Sequence, residues 1–219
     1  MMRGAIFDLD GTLLDSMYLW DTVGEDYLRS LGLEPKENLK ETFKTFSLYQ
    51  SACYYRSEYG VTLSVDEIID GVNGMVEQYY TDQLLLKPGA AEFLRQLQAK
   101  GVKMCIATAT DSYLVEAALK RCGIRGYFSG IFTCASVGHS KEEPVIYREA
   151  LQHLGTKKSE TVVFEDALFA LQSAKSDGFI TAAVYDPHEA QQAKIKALAD
   201  FYISAYSDLK NFWKFASAI

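Results

Sequence analysis

Six short apolar runs, at residues 4–7, 102–107, 130–134, 161–164, 179–184 and 201–204, constrain the fold more than any other feature of this chain. Segments of helical periodicity separate most of them. Residues 89–100 place Ala91, Phe93, Leu94 and Leu97 near one face and stop at Gly101, a helix C-terminal signal. Residues 112–121, 144–154, 168–176 and 188–199 read the same way. Strands that alternate with helices imply βαβ crossovers, so the sequence predicts an α/β fold: a Rossmann-like parallel sheet with helices on both faces.

The rhythm fails between residues 15 and 86, where helical periodicity rich in Tyr and Phe takes over. This stretch reads as a small all-helical domain inserted after the first strand. Its edges fall near residues 13–16 and 85–89, where Lys87, Pro88 and Gly89 supply a helix break and a hinge-like joint. The expected division is therefore a core of residues 1–14 and 87–219 and a cap of residues 15–86. A chain of 219 residues, 48% hydrophobic, can bury a core for that arrangement.

A net charge of -7 argues against nucleic-acid or membrane-surface partners, which would require a basic face. No apolar run approaches the roughly 20 residues that cross a bilayer. Cys53, Cys105, Cys122 and Cys134 have no paired spacing, and the chain opens Met-Met-Arg-Gly without a signal-peptide pattern. The expectation is a cytoplasmic protein whose cysteines are small core hydrophobes, and a monomer by default.

Ligands of a doubly wound sheet bind outside the carboxyl ends of its strands. Four of those ends carry chemistry: Asp8 and Asp10 after the first, Thr108 after the second, Lys141 in the loop beyond the third, and Glu165 with Asp166 after the fourth. Each group alone has an ordinary reading as a turn, a cap or a solvated side chain. The ordered set does not.

That set, FDLDGT, then Thr108 in IATAT, Lys141 in SKEEP and Glu165-Asp166 in VVFEDALFALQSAKSDGF, resembles the haloacid dehalogenase-like superfamily over nearly the whole chain. The helical insertion sits where the subgroup with a small helical cap carries it, and the likeness is greatest to beta-phosphoglucomutase-like and phosphoglycolate-phosphatase-like members. The resemblance implies a magnesium-dependent phosphatase acting on a small phosphorylated metabolite, with a sugar phosphate as one candidate. It assigns Asp8 as nucleophile and Asp10 as acid and base. Thr108, Ala109 and Lys141 become the groups around the phosphoryl oxygens, and Asp8, the Asp10 carbonyl, Glu165 and Asp166 the magnesium ligands.

The chemistry agrees with the residue types. A carboxylate attacking a phosphate dianion needs a metal and cationic groups to neutralise charge, and magnesium takes oxygen ligands. A second carboxyl two residues on can protonate the leaving oxygen and later deprotonate water, and this favours phosphate over halide as the leaving chemistry.

Departures from the family pattern raise further expectations. Lys141-Glu142-Glu143-Pro144 replaces the usual Lys-Pro-x-Pro, and Ala167 and Ala170 stand where Ser and Gly are common. A mutase of the beta-phosphoglucomutase type carries a cap histidine and a cap arginine. Trp20 and the neutral segment of residues 46–50 occupy those places, which favours hydrolysis over the mutase alternative. A third possibility is a phospholigand-binding protein without turnover. The cluster Phe43, Phe46, Tyr49, Tyr54 and Tyr55 is expected to be cap core, Lys44 and Arg56 to be solvated, and His139, His153 and His188 to be surface or loop residues.

Overall fold

The computed structural model describes residues 1–207 and 209–219. Six parallel strands, β1 (Gly4–Phe7), β2 (Lys103–Thr108), β3 (Ile131–Thr133), β4 (Thr161–Glu165), β5 (Ile180–Val184) and β6 (Phe201–Ile203), lie in the order β3-β2-β1-β4-β5-β6. All neighbouring pairs are parallel, as the alternating pattern predicts. Strand order reverses between β1 and β4, where Phe7 registers with Phe164. This switch point is where such sheets open a crevice.

Helices α6 (Ala90–Ala99), α7 (Ser112–Arg121), α8 (Cys134–Val137), α9 (Val145–Leu154), α10 (Leu168–Ser176), α11 (Gln192–Leu198) and α12 (Lys210–Ala218) follow the strands. The two sheet faces bury different sets. Phe7, Phe93 and Phe164 belong to the larger cluster, and Phe7 and Phe164 stack with ring centroids 4.2 Å apart. Ile6, Cys105 and Val163 pack against Ile146 and Tyr147 of α9 on the other face. Burial on both faces accounts for the continuous apolar runs, since a half-solvated strand would alternate.

Between β1 and β2 the chain is helical: α1 (Met17–Trp20), α2 (Val23–Ser30), α3 (Leu39–Phe43), α4 (Leu48–Tyr59) and α5 (Val65–Gln78), with α5 running on into a π-helical turn at Tyr79–Gln83. Ser47 with Gln50 and Ser64 with Glu67 form reciprocal capping boxes that fix where α4 and α5 begin. The two segments joining this region to the sheet lie side by side. Asp15 N donates to the Leu85 carbonyl at 3.0 Å, and Lys87 N to the Leu13 carbonyl at 2.8 Å. Gly89, with φ at 86°, then starts α6 against Tyr206, whose backbone would be 3.0 Å from an added Cβ.

Two elements differ from the sequence expectation. The helix expected over residues 188–199 contracts to α11, because Asp186 and Glu189 hold the preceding loop by accepting from His188 N and Gln191 N. Helix α12 has no counterpart in the sequence reading; its Phe212 is fully buried against Phe93 and Phe164. All four cysteines are free; Cys105 and Cys134 are buried, while Cys53 and Cys122 are half-buried. Among the described residues, no helix is long and apolar enough to cross a membrane.

Candidate active site

The last residue of β1 is Phe7, and the backbone then continues one step further in sheet register, with Asp8 N donating to the Phe164 carbonyl at 3.0 Å. Asp8 is thereby fixed beside Glu165, the last residue of β4, and Asp166. One oxygen from each of these three carboxylates lies within 4.8 Å of the others, and all three residues are buried. Lys141, 5% exposed, reaches this cluster from the loop beyond α8. Its Nζ donates to Asp8 Oδ1 and, at 2.7 Å, to Glu165 Oε1, which also accepts from the Tyr147 hydroxyl at 2.7 Å.

Burial dominates the electrostatics. Asp8 is pushed up to about 7, first by desolvation and then by the Glu165 and Asp10 carboxylates, against the opposing pull of Lys141. Asp166 is also raised, by desolvation and then by Asp8 and Glu165. The Lys141 ammonium is held charged by Asp8 and Glu165 despite its burial. Three carboxylates against one ammonium leave excess negative charge, and hard oxygen donors in that array suit a divalent cation of the magnesium, calcium or manganese kind. The residues present fit such an ion.

Gly11 makes the turn after the strand. Its φ is 73°, and a Cβ there would stand 2.4 Å from Asp166 Oδ2, so only glycine lets the loop lie against the carboxylate. Next to it, Thr12 Oγ1 donates to Asp166 Oδ1 at 3.0 Å, and the Thr12 carbonyl accepts from the Tyr206 hydroxyl at 3.1 Å.

Asp10 points elsewhere. Its Oδ1 accepts from Ser16 Oγ at 2.6 Å and the Tyr80 hydroxyl at 2.5 Å, and its Oδ2 accepts from Thr110 Oγ1 at 2.7 Å. The Tyr80 oxygen in turn accepts from Trp20 Nε1 at 2.8 Å. An indole can only donate, so the phenol proton is directed at Asp10. Tyr80 comes from the π-helical turn and is fully buried. Thr108 lies buried at the end of β2, its hydroxyl accepting from Thr110 N at 3.2 Å, while Ala109 is exposed at the rim.

Asp8, Asp10, Thr108, Ala109, Lys141, Glu165 and Asp166 all line one cavity of about 340 Å³ between the sheet and the helices of residues 17–83. Sequence reasoning missed Ser16, Tyr80 and Thr110, whose contacts with Asp10 span up to 70 and 100 residues of chain. It also missed the loop after β5. There Lys44 Nζ meets Glu189 Oε1 at 3.0 Å, and Asp21 Oδ2 receives His188 Nδ1 at 2.6 Å and Lys40 Nζ at 2.9 Å. Lys44 is therefore paired, whereas Arg56 is exposed outside the cavity, and His139 meets Glu143 away from it. Glu142 and Glu143 are exposed. Glu189 Oε2 accepts from Leu168 N at 3.3 Å, occupying the N-terminus of α10 where Ala167 supplies no capping side chain.

Residues 2–178 match the family model described as haloacid dehalogenase-like hydrolase. Hexitol phosphatase B of Escherichia coli (strain K12) is 26% identical over 94% of this chain and 93% of its own length. The phosphorylated carbohydrates phosphatase of Thermotoga maritima is 25% identical over 70% of this chain and 71% of its own. Among solved structures, CbbY from Rhodobacter sphaeroides in complex with phosphate superposes with a TM-score of 0.83 at 23% identity, covering 96% of this chain and 97% of that one.

Proposed function

Because the chain belongs to the haloacid dehalogenase-like hydrolase family and is a phosphoric monoester hydrolase, we propose that it hydrolyses a small phosphorylated metabolite, sugar phosphates included, through an aspartyl-phosphate on Asp8. One observation carries this reading. Asp8, Lys141, Glu165 and Asp166 converge at the strand ends and, with Asp10 on the same loop as Asp8, line one cavity.

An Asp8 carboxylate oxygen attacks phosphorus, and the bond from phosphorus to the ester oxygen breaks. The leaving oxygen takes a proton from Asp10, giving the free alcohol. Water then attacks the aspartyl-phosphate and yields its proton to Asp10, releasing phosphate and restoring both carboxyl groups. Ser16, Tyr80 and Thr110 hold the Asp10 carboxyl in one orientation for both transfers. Thr108 and Lys141 stabilise the transferring oxygens as their charge develops. Asp8, Glu165, Asp166 and the Asp10 carbonyl would hold magnesium, which when bound neutralises the charge between the phosphoryl group and its nucleophile. Residues 15–86 act as a cap that excludes bulk water, hinged at the paired segments around Leu14 and Leu86.

Trp20 beside Tyr80, with no histidine or arginine at the mutase positions, supports hydrolysis over phosphoryl return to substrate. The site would act in the cytosol. Phosphate release across a panel of phosphorylated metabolites, with magnesium and with chelator, tests the proposal. Turnover should require the ion and be lost in Asp8→Asn; equal activity in that variant would overturn the nucleophile assignment.

A further inference from the structure

The upper wall of the cavity differs in character from its floor. Trp20 of α1, Phe43 of α3, Phe46 of the segment between α3 and α4 and Phe169 of α10 all line it, and each is half-buried. Phe43 and Phe46 stack with ring centroids 5.8 Å apart and planes inclined by 30°, an aromatic pair against which a further flat ring could pack. The cluster expected to be cap core therefore divides. Tyr55 is buried although it borders the cavity, and Tyr49 is 63% exposed outside it, whereas Phe43 and Phe46 line the cavity half-buried.

Most charged groups along that wall are already engaged. Lys44 is held by Glu189, His188 and Lys40 by Asp21, and the Tyr55 hydroxyl donates to the Gly24 carbonyl at 2.7 Å. A polyol placed there would surrender its hydration and find few donors or acceptors in exchange. Glu25 and Glu41 also line the cavity, so carboxylates outnumber lysines above the floor. A second anionic group on the substrate is disfavoured.

Resting on the phosphatase reading above, we infer that the preferred substrate is a phosphate monoester whose alcohol part is an uncharged, flat aromatic or heteroaromatic ring carried on a hydroxymethyl group. The phosphate lies on the floor at Asp8 and Lys141, and the ring meets Phe43 and Phe46.

Benzyl phosphate and sorbitol 6-phosphate test this directly. Both are esters of primary alcohols, so the bond broken is alike and a rate difference reports recognition of the alcohol part. The magnesium-loaded enzyme should show kcat/KM at least tenfold higher for benzyl phosphate. Phe46→Leu, which keeps apolar volume but removes the ring, should shrink that ratio about fivefold, raising KM for benzyl phosphate much more than for sorbitol 6-phosphate. Benzylphosphonate binding, followed by Trp20 fluorescence, should weaken in the same variant and supplies a readout independent of turnover. An equal or higher kcat/KM for sorbitol 6-phosphate, or an unchanged ratio in Phe46→Leu, overturns the ring assignment alone. No phosphate release from either ester, or from any other in the panel, overturns the phosphatase reading beneath it.

Discussion

Replacing the proposed nucleophile should make the metal-free protein more stable. Asp8 holds its proton up to about pH 7 in the folded chain, against 3.8 for an ordinary aspartate, chiefly because burial penalises its charge. Between those values the folded state binds a proton that the unfolded state has released, so stability falls as pH rises through this window. Above it the full penalty applies, roughly 4 kcal/mol at about 1.4 kcal/mol per pH unit. Asp8→Asn removes the charge but weakens the contact with Lys141, which keeps Glu165 Oε1 at 2.7 Å. Allowing about half the penalty for that loss leaves a gain near 2 kcal/mol. For a chain of this size that is roughly 4–8 °C in Tm. Thermal unfolding in chelator at pH 8 reads it directly, and the gain should be smaller at pH 5. Magnesium should then stabilise the parent more than the variant, because only the parent presents all three carboxylates. A midpoint at pH 8 in chelator that is unchanged or lowered by Asp8→Asn would refute the claim that burial strains this carboxylate.

Tyr80→Phe keeps the ring packing and deletes the hydroxyl aimed at Asp10. A hydrogen bond to a charged group is worth roughly 1.5–3 kcal/mol, so kcat should fall by about 10- to 100-fold with little change in KM, and steady-state kinetics will tell. Gly11→Ala forces a side chain into the left-handed region and against Asp166. It should lower stability by about 1–3 kcal/mol and weaken magnesium binding, measured by calorimetry. Glu189→Ala removes a 5% exposed carboxylate that meets Lys44, Leu168 N and Gln191 N. It should destabilise by roughly 1–3 kcal/mol in denaturant titration, since two backbone donors lose their acceptor.

The residues legible in the sequence share one property: each is tied to a strand end by its neighbours in the chain. Asp8 and Asp10 sit in the loop leaving β1, and Glu165-Asp166 terminates β4, so an apolar run followed by acids gives both element and site. Lys141 could be placed only through its order in the motif set, because the short helix α8 and a turn separate it from β3. Tyr80, Thr110 and Ser16 carry no such mark. Their role is set by how the inserted helices rest on the sheet, and a buried tyrosine in a periodic helical stretch reads as packing. The loop after β5 misled the pattern for a related reason. Residues 188–191 look helical, but the Asp186 and Glu189 side chains satisfy backbone amides that a helix would have used.

The π-helical turn at Tyr79–Gln83 bears on how such a site could arise. Leu84 N donates to the Tyr79 carbonyl at 2.9 Å, an i→i+5 bond that widens the turn with which α5 ends. Each residue advances an α-helix by about 100°, and a wider turn changes that phase, so the side chains of this turn, Tyr80 among them, sit differently from those of an unbroken α-helix. Arg121 anchors the far end of the turn by donating to the Tyr80 and Leu84 carbonyls. A helix end widened in this way gives the proposed acid-base carboxyl a hydroxyl partner without disturbing the strands that carry the proposed nucleophile.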